Sequence, residues 1–485
     1  MKTVPLDLAN LKALFPDDFT PDQKAAAQTA FLKHLSLAGH QFYGGKMVTV
    51  PKAGLFGFNW FNVWYTPGVS KISTTIRDDN DTSFELSNRG NLVAVVSDST
   101  RVLGDGDVTP PGGLGVMEGK AFLMKYLGGV DGMALCINNR DAKGEPDPDK
   151  IIEFVKMLAP SVGAVNLEDI SQPNCYKVLD TLREACDIPV WHDDAQGTGC
   201  VTLAGLLNAL KIVDKPIDKV SIFMYGAGAS NTTIARLILQ AGADPDRMII
   251  MDTKGSLNRK REDIKADTRF YRKWELAQQT NPRCINDTEE AVKGADVLIA
   301  LSKPDPTTVK PAWIRSMAPR PVVFACANPV PEIYPHAAKE AGAAVVATGR
   351  GDFPNQVNNS LGFPAILKGA LLVRAKKVTD NMAVAAAKSL ADTAEKKGLS
   401  PDYIIPKMDE EGVYPEEAAA VAMQAIKDGV ARRPLTEQQV LERTRRDIAE
   451  ARGQFDAMVK AGYIPEPPQS MLQEALAKAI ADIRK

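Results

Sequence analysis

Two pairs of adjacent acids, each closing an apolar run, are the residues of this chain best suited to chemistry. Glu168-Asp169 ends Val165-Asn166-Leu167, and Asp193-Asp194 ends Ile188-Pro189-Val190-Trp191-His192. Four carboxylates brought together repel one another unless a cation lies between them. An all-oxygen set suits a hard divalent ion, Mg²⁺ or Mn²⁺. Acids at strand ends also cap helices or face solvent, so two pairs on one edge carry more than either alone. His192, beside Trp191, reads as a packed side chain and not as a ligand.

Three further side chains fit the same chemistry. Lys120 lies where the loop Thr109–Gly115 gives way to the helical spacing of Ala121–Leu127. Near a cation and out of bulk water its ammonium form is disfavoured, which makes it a base near neutral pH. A lysine opening a surface helix is the ordinary alternative. Tyr65 precedes the Pro67-Gly68 turn, which would hold it at a strand end; its ordinary role there is packing. Arg101 suits a substrate carboxylate, or a pair with Asp98 or Asp105.

Elements must converge for these residues to meet. Between the acidic pairs, Cys175, Val178, Leu179, Leu182 and Ala185 follow helical spacing. Strand, helix and strand in that order form a right-handed crossover, so both strands are parallel and end on one edge. Open α/β sheets hold ligands at that edge. The run Asn91–Asp98 reads as a buried parallel strand. A dinucleotide pattern begins at Val220: a strand to Tyr225, then Gly226-Ala227-Gly228-Ala229-Ser230-Asn231, a helix to Ala241, and the strand Met248–Met251 ending in Asp252. Gly226, Gly228, Ala229 and Ser230 would cradle a pyrophosphate, and Asp252 would take the ribose hydroxyls. Asn231 stands where a third glycine is usual. Asp252 repels a 2′-phosphate and favours NAD, whereas Lys254, Arg259, Lys260 and Arg261 are placed to admit NADP. Further strands at Val297–Leu301, Val322–Ala327 and Ala344–Ala347 complete a doubly wound sheet. Asn328, and Asn359 in a polar loop, then face the nicotinamide or the substrate, with turn formation as their plainer role.

The chain has 485 residues, too many for one core. The expectation is an α/β protein in three parts. An N-terminal substrate- and metal-binding domain spans 1–199, a Rossmann-type NAD(P) domain 200–370, and a helical region 371–485 packs on the body or a partner subunit. A hydrophobic share of 45% with 24% charged residues is that of a soluble protein, and a net charge of −2 argues against nucleic acid or a membrane surface. No apolar run approaches the ~18 residues of a membrane span, and the first residues lack a signal-peptide core. Six scattered cysteines without a Cys-x-x-Cys pair read as buried thiols in a reducing compartment, which makes the cytoplasm the expected location.

Taken together, the motifs resemble the malic enzyme family in its short bacterial form, over about residues 40–425. They are Tyr65-Thr66-Pro67-Gly68-Val69, Val116-Met117-Glu118-Gly119-Lys120, Asn166-Leu167-Glu168-Asp169-Ile170, His192-Asp193-Asp194 with Gly197-Thr198, Asn328-Pro329, and Thr348-Gly349-Arg350 with Pro354–Asn359. The resemblance implies oxidative decarboxylation of L-malate to pyruvate and CO₂ with reduction of NAD(P). It implies Tyr65 as the acid that protonates the enol, Lys120 as the base, and Asp193 as the acid supporting that lysine. Glu168, Asp169 and Asp194 become the metal ligands, with Arg101, Asn328 and Asn359 on the substrate. It also implies a homodimer with the tyrosine's segment near the partner. The chain departs from the family's pattern at Ala195-Gln196, in the loop from Asp105 to Gly115, at Asn231, and in the tail beyond about Ala425. Decarboxylation of oxaloacetate or a related β-keto acid without redox chemistry, oxidation of another 2-hydroxy diacid, and a silent dicarboxylate or dinucleotide sensor are the competing readings.

Overall fold

Leu92–Ser97 (β1) is apolar at nearly every position because both its faces are covered, which is the environment of a parallel strand. The computed structural model, which describes residues 2–102 and 104–485, places β1 inside a four-stranded sheet. Helix α1 (Leu114–Gly128) follows, then β2 (Asp131–Cys136) and β3 (Ala164–Leu167). Helix α2 (Asn174–Ala185) leads to β4 (Val190–His192), and the order across the sheet is β2-β1-β3-β4, all parallel. The expected crossover therefore forms, and Glu168-Asp169 and Asp193-Asp194 leave neighbouring strands at one edge. The Glu168 N–H donates to Val96 O at 2.9 Å, so the ladder continues to the first acid.

Helix α3 (Thr198–Val213) leads into a six-stranded sheet. It holds β5 (Ile222–Tyr225), β6 (Met248–Asp252), β7 (Gly255–Ser256), β8 (Val297–Ala300), β9 (Val322–Ala325) and β10 (Val345–Thr348), with α4 (Ala229–Gln240) joining β5 to β6. The order is β10-β9-β8-β5-β6-β7, parallel except for the β6–β7 hairpin. The strand order reverses at β5, between β8 and β6, where such sheets bind dinucleotides. Helices α5 (Phe363–Leu372) and α6 (Val413–Lys427) continue the chain. Lys368 on α5 is buried and reaches Asp447 Oδ2 at 2.6 Å and Asn91 Oδ1 at 3.1 Å, which ties α5 to the start of β1.

Residues 54–449 form one compact unit, and residues up to Ala53 join 450–485 in another. In the latter, Phe15, Phe19, Ala27 and Phe31 pack on Leu472, Ala475, Leu476 and Ala479. The helix Pro21–Tyr43 opens with a Thr20/Gln23 capping box. Positions 199 and 370, expected as domain limits, both lie inside the larger unit, and the expected region 371–485 is shared between the two. The physical reason is that the helices near the two termini bury their apolar faces on each other. No helix among the described residues is long and apolar enough to cross a membrane.

The structure corrects two local expectations. Tyr65 follows a one-turn helix, Phe61–Trp64, and not a strand, because its N–H bonds back to Phe61 O at 2.8 Å and Gly68 N–H to Asn62 O at 2.9 Å. Lys120 lies in the body of α1, which already starts at Leu114, and not at a helix start.

Glu417 on α6 is fully buried, and neither of its carboxyl oxygens meets a protein donor. Burial pushes its pKa well above 4.5, so the folded protein holds a proton that the unfolded chain releases. Stability from this group is therefore lost as pH rises above that unfolded value. Glu417→Met should raise the thermal midpoint, by about 1–3 kcal/mol of stability at pH 8, and by less at pH 5. Equal shifts at both pH values would show that the carboxyl does not titrate in this way.

Candidate active site

Asp193 and Asp194 begin a wide turn after β4, and its tightest point is Gly197. A Cβ there would fall 1.9 Å from Asp193 Oδ1, so only glycine lets the acid keep its position. Asp193 is buried; its Oδ1 accepts from Trp191 Nε1 at 3.0 Å and its Oδ2 from Lys120 Nζ at 2.5 Å. Lys120 Nζ also lies 3.0 Å from Glu168 Oε1, 3.3 Å from Asn359 Oδ1 and 4.6 Å over the Phe363 ring. Four segments distant in sequence, α1, the end of β3, the turn after β4 and the start of α5, thus meet at one amine.

On the other side of Glu168 lie the remaining acids. Asp169 has φ 54°, in the left-handed region, and its N–H donates to Asp194 Oδ2 at 2.7 Å. Glu168, Asp169 and Asp194 offer oxygens that all lie within 4.8 Å of one another. Burial and the repulsion of Asp194, Asp193 and Asp169 push Glu168 well above the carboxylate range, despite Lys120. Burial raises Asp193 as well. Hard oxygen donors under such mutual repulsion fit a divalent cation. His192 is buried, with its Nδ1 3.9 Å from Asp194 Oδ2, and it is not one of the clustered groups. Burial would push the Lys120 ammonium down, but Asp193, Glu168 and Asp194 outweigh it and hold the pKa above the ordinary lysine value.

Two supporting side chains escaped the sequence reading. Asn166 donates to Glu168 Oε2 at 2.8 Å, and Trp191 holds Asp193. Each stands two residues before the acid it supports, on the same strand face, and that spacing was the available signal.

The nucleotide side is built around Gly226, whose φ of 102° and a would-be Cβ contact of 2.3 Å to Leu301 O both exclude a side chain. Around Gly228 the corresponding space is open, which leaves room for a pyrophosphate at the start of α4, beside Ala229. Asn231 replaces the third glycine without loosening the turn: it is buried, and its Nδ2 donates to Gly226 O at 2.8 Å. Ser230 Oγ donates to Asp194 O at 2.8 Å, so α4 holds the turn that carries Asp194 directly. Asp252 ends β6 and is paired with Arg261, at 3.0 Å between Nη1 and Oδ1. Asn328 is exposed beyond β9, and a Cβ on Gly349 would fall 2.7 Å from its Nδ2.

Two expected site residues lie apart from this cluster. Tyr65 is 73% exposed, and among the described residues no hydrogen bond or ion pair joins its hydroxyl to Lys120 or the acids. Arg101 is exposed, with its N–H on Asp169 O at 3.0 Å.

A dinucleotide-binding sheet whose helix grips a turn beside a buried lysine–acid cluster is the arrangement of an oxidoreductase. Residues 58–183 match the family model described as malic enzyme, N-terminal domain, and residues 195–428 match malic enzyme, NAD binding domain. The chain is 40% identical to the bifunctional malic/malolactic enzyme of Bacillus subtilis, over 86% of this chain and 98% of that one. It is 41% identical to the NAD-dependent malic enzyme of Geobacillus stearothermophilus, over 80% and 78%. The crystal structure of Entamoeba histolytica malic enzyme superposes with a TM-score of 0.97 at 61% identity, covering both chains fully. That of Pyrococcus horikoshii malic enzyme gives 0.79 at 42%, over 89% of this chain and 96% of that one. The chain belongs to the malic enzyme family.

Proposed function

We propose that this chain oxidatively decarboxylates L-malate to pyruvate and CO₂, with NAD as the preferred acceptor, NADP admitted, and Mg²⁺ or Mn²⁺ at Glu168, Asp169 and Asp194. The observation that carries the reading is Lys120 Nζ, held among Glu168, Asp193 and Asn359 beside the three clustered carboxylates. Residues up to 199 would hold substrate and metal, 200–370 the dinucleotide, and the later helices would buttress both or meet a partner subunit. The cytoplasm fits six cysteines that are all free.

When bound, the nicotinamide supplies the hydride acceptor, and the divalent cation supplies charge that polarises the substrate oxygens and neutralises the acids around Lys120. Burial then favours the free amine, and Lys120 takes the C2 hydroxyl proton as hydride leaves C2. Asp193, fixed by Trp191, steadies the ammonium that results. The carboxylate on C3 departs as CO₂ and leaves its electron pair in the enolate. Lys120 returns its proton to the enolate oxygen to give the enol; as a tyrosine proton reaches C3, Lys120 takes the enol proton back, and pyruvate forms. Arg101 and Asn328 are the proposed substrate-binding groups, together with Asn359.

Tyr65 is assigned the last proton, delivered to the site of a second copy. Its exposure supports this, as does the apolar arm around it, where Phe56, Phe58, Phe61 and Trp64 are also exposed. Tyr65→Phe should slow malate turnover on the order of 10²-fold or more. Reduction of oxaloacetate by reduced cofactor, which omits that proton, should stay near wild type. Subunits carrying Tyr65→Phe, mixed with subunits carrying Lys120→Ala, should regain turnover that neither has alone; no recovery would place Tyr65 in its own chain's site. The reaction class is tested by oxaloacetate given without nicotinamide. Decarboxylation there, with no oxidation of malate by either cofactor, would replace the proposed enzyme with a decarboxylase.

A further inference from the structure

The hairpin that ends β6 holds a charge arrangement that the sequence pattern alone does not disclose. Arg261 donates from Nη1 to Asp252 Oδ1 at 3.0 Å and from Nη2 to Asp252 Oδ2 at 3.1 Å. Its Nε reaches Asp263 Oδ1 at 2.7 Å, and Nη2 also reaches Asp263 Oδ2 at 2.9 Å. The carbonyls of Gly255 and Ser256 accept from Nη1 at 3.2 and 3.3 Å. A guanidinium has five N–H donors, and all of them are engaged here. Arg261 therefore has no donor left to offer a phosphate.

Asp252 is similarly occupied. Besides Arg261, its Oδ1 accepts from Lys254 N–H at 2.8 Å. A carboxylate accepts about four hydrogen bonds, so roughly one position remains for a ribose hydroxyl. The acid that should exclude a 2′-phosphate thus stands with its charge compensated and most of its acceptors filled. The groups around it lean cationic. Lys254, 69% exposed along its side chain, has only a 3.6 Å approach to Asp263, Arg259 and Lys260 are exposed, and the buried Lys273 interacts with Asp252.

We propose that Arg261 sets the cofactor range of this chain: as the fixed countercharge of Asp252 it cancels the repulsion of a 2′-phosphate, so that the ribose site admits NADP as well as NAD. This rests on the nicotinamide-dependent reading above. Arg261 acts through Asp252 as a positioning residue, while the exposed cations Lys254, Arg259 and Lys260 meet the phosphate. A lysine at 261 would keep the charge but lose the fork that pins both carboxylate oxygens.

The test is calorimetric binding of ADP-ribose and of 2′-phospho-ADP-ribose to the full chain, which reads the ribose site without turnover. The wild type is expected to bind both. Arg261→Gln should weaken the phosphorylated ligand on the order of 10-fold or more and leave ADP-ribose nearly unchanged. Combining Arg261→Gln with Asp252→Asn removes the exposed charge and should restore the phosphorylated ligand. Equal loss of both ligands in Arg261→Gln, or no recovery in the double variant, would mean that Arg261 only braces the hairpin, and would overturn the proposal. No change in either ligand would overturn it too. A wild type that binds neither ligand would remove the nicotinamide reading itself along with it.

Discussion

Lys120→Ala is expected to lower malate oxidation on the order of 10²–10⁴-fold, with cofactor and Mn²⁺ binding close to wild type. The amine is the only basic side chain that Glu168, Asp193 and Asn359 are seen to share among the described residues, so no neighbour stands ready to replace it. The substitution also leaves Asp193 buried with Trp191 as its remaining side-chain donor. Removing one partner of a buried pair typically costs about 3–5 kcal/mol, so the thermal midpoint should fall as well. Combining Lys120→Ala with Asp193→Asn separates the two effects. The double variant should recover stability, because the uncompensated charge is gone, and should remain inactive, because the base is gone. Activity recovered together with stability would assign Lys120 a structural role only.

Asp194→Asn is expected to raise the Mn²⁺ requirement by at least the roughly 10–100-fold that follows loss of a mere outer partner of a metal ligand. An asparagine oxygen can still accept the Asp169 N–H now held at 2.7 Å, so the turn should keep its shape. What is lost is one of three anionic donors. Mn²⁺ titration followed by the ion's paramagnetic signal reads the effect without turnover. An unchanged requirement would remove Asp194 from the metal site.

The acids were legible because strand lengths are short and parallel strands must end on one edge. Once Val165–Leu167 and Val190–His192 were read as neighbours, the convergence of Glu168, Asp169 and Asp194 followed. The dinucleotide sheet was legible for the same reason, through the order of Gly226, Gly228 and Asp252. Lys120 was legible by type, whereas its distances to Asp193 and Glu168 depend on how α1 packs, which spacing does not encode. Tyr65 was misplaced on a strand because aromatic, glycine-rich sequence suits either state. The local bonds of Phe61–Gly68 decided for a helical turn. Pairing of the two chain ends into one unit was not legible either, since nothing near Phe31 points to Leu476. The Asp252–Arg261 fork escaped because nine residues of hairpin bring the two together, and a run of basic residues reads alike whether its charges are free or committed.

The most direct measurement is the yield of reduced nicotinamide and of pyruvate from L-malate, with Mn²⁺ and each cofactor in turn. Equal amounts of the two products, lost together when Mn²⁺ is chelated, are the expected result. Reduced cofactor without pyruvate, or pyruvate without reduced cofactor, would contradict the assignment of oxidation and decarboxylation to one site.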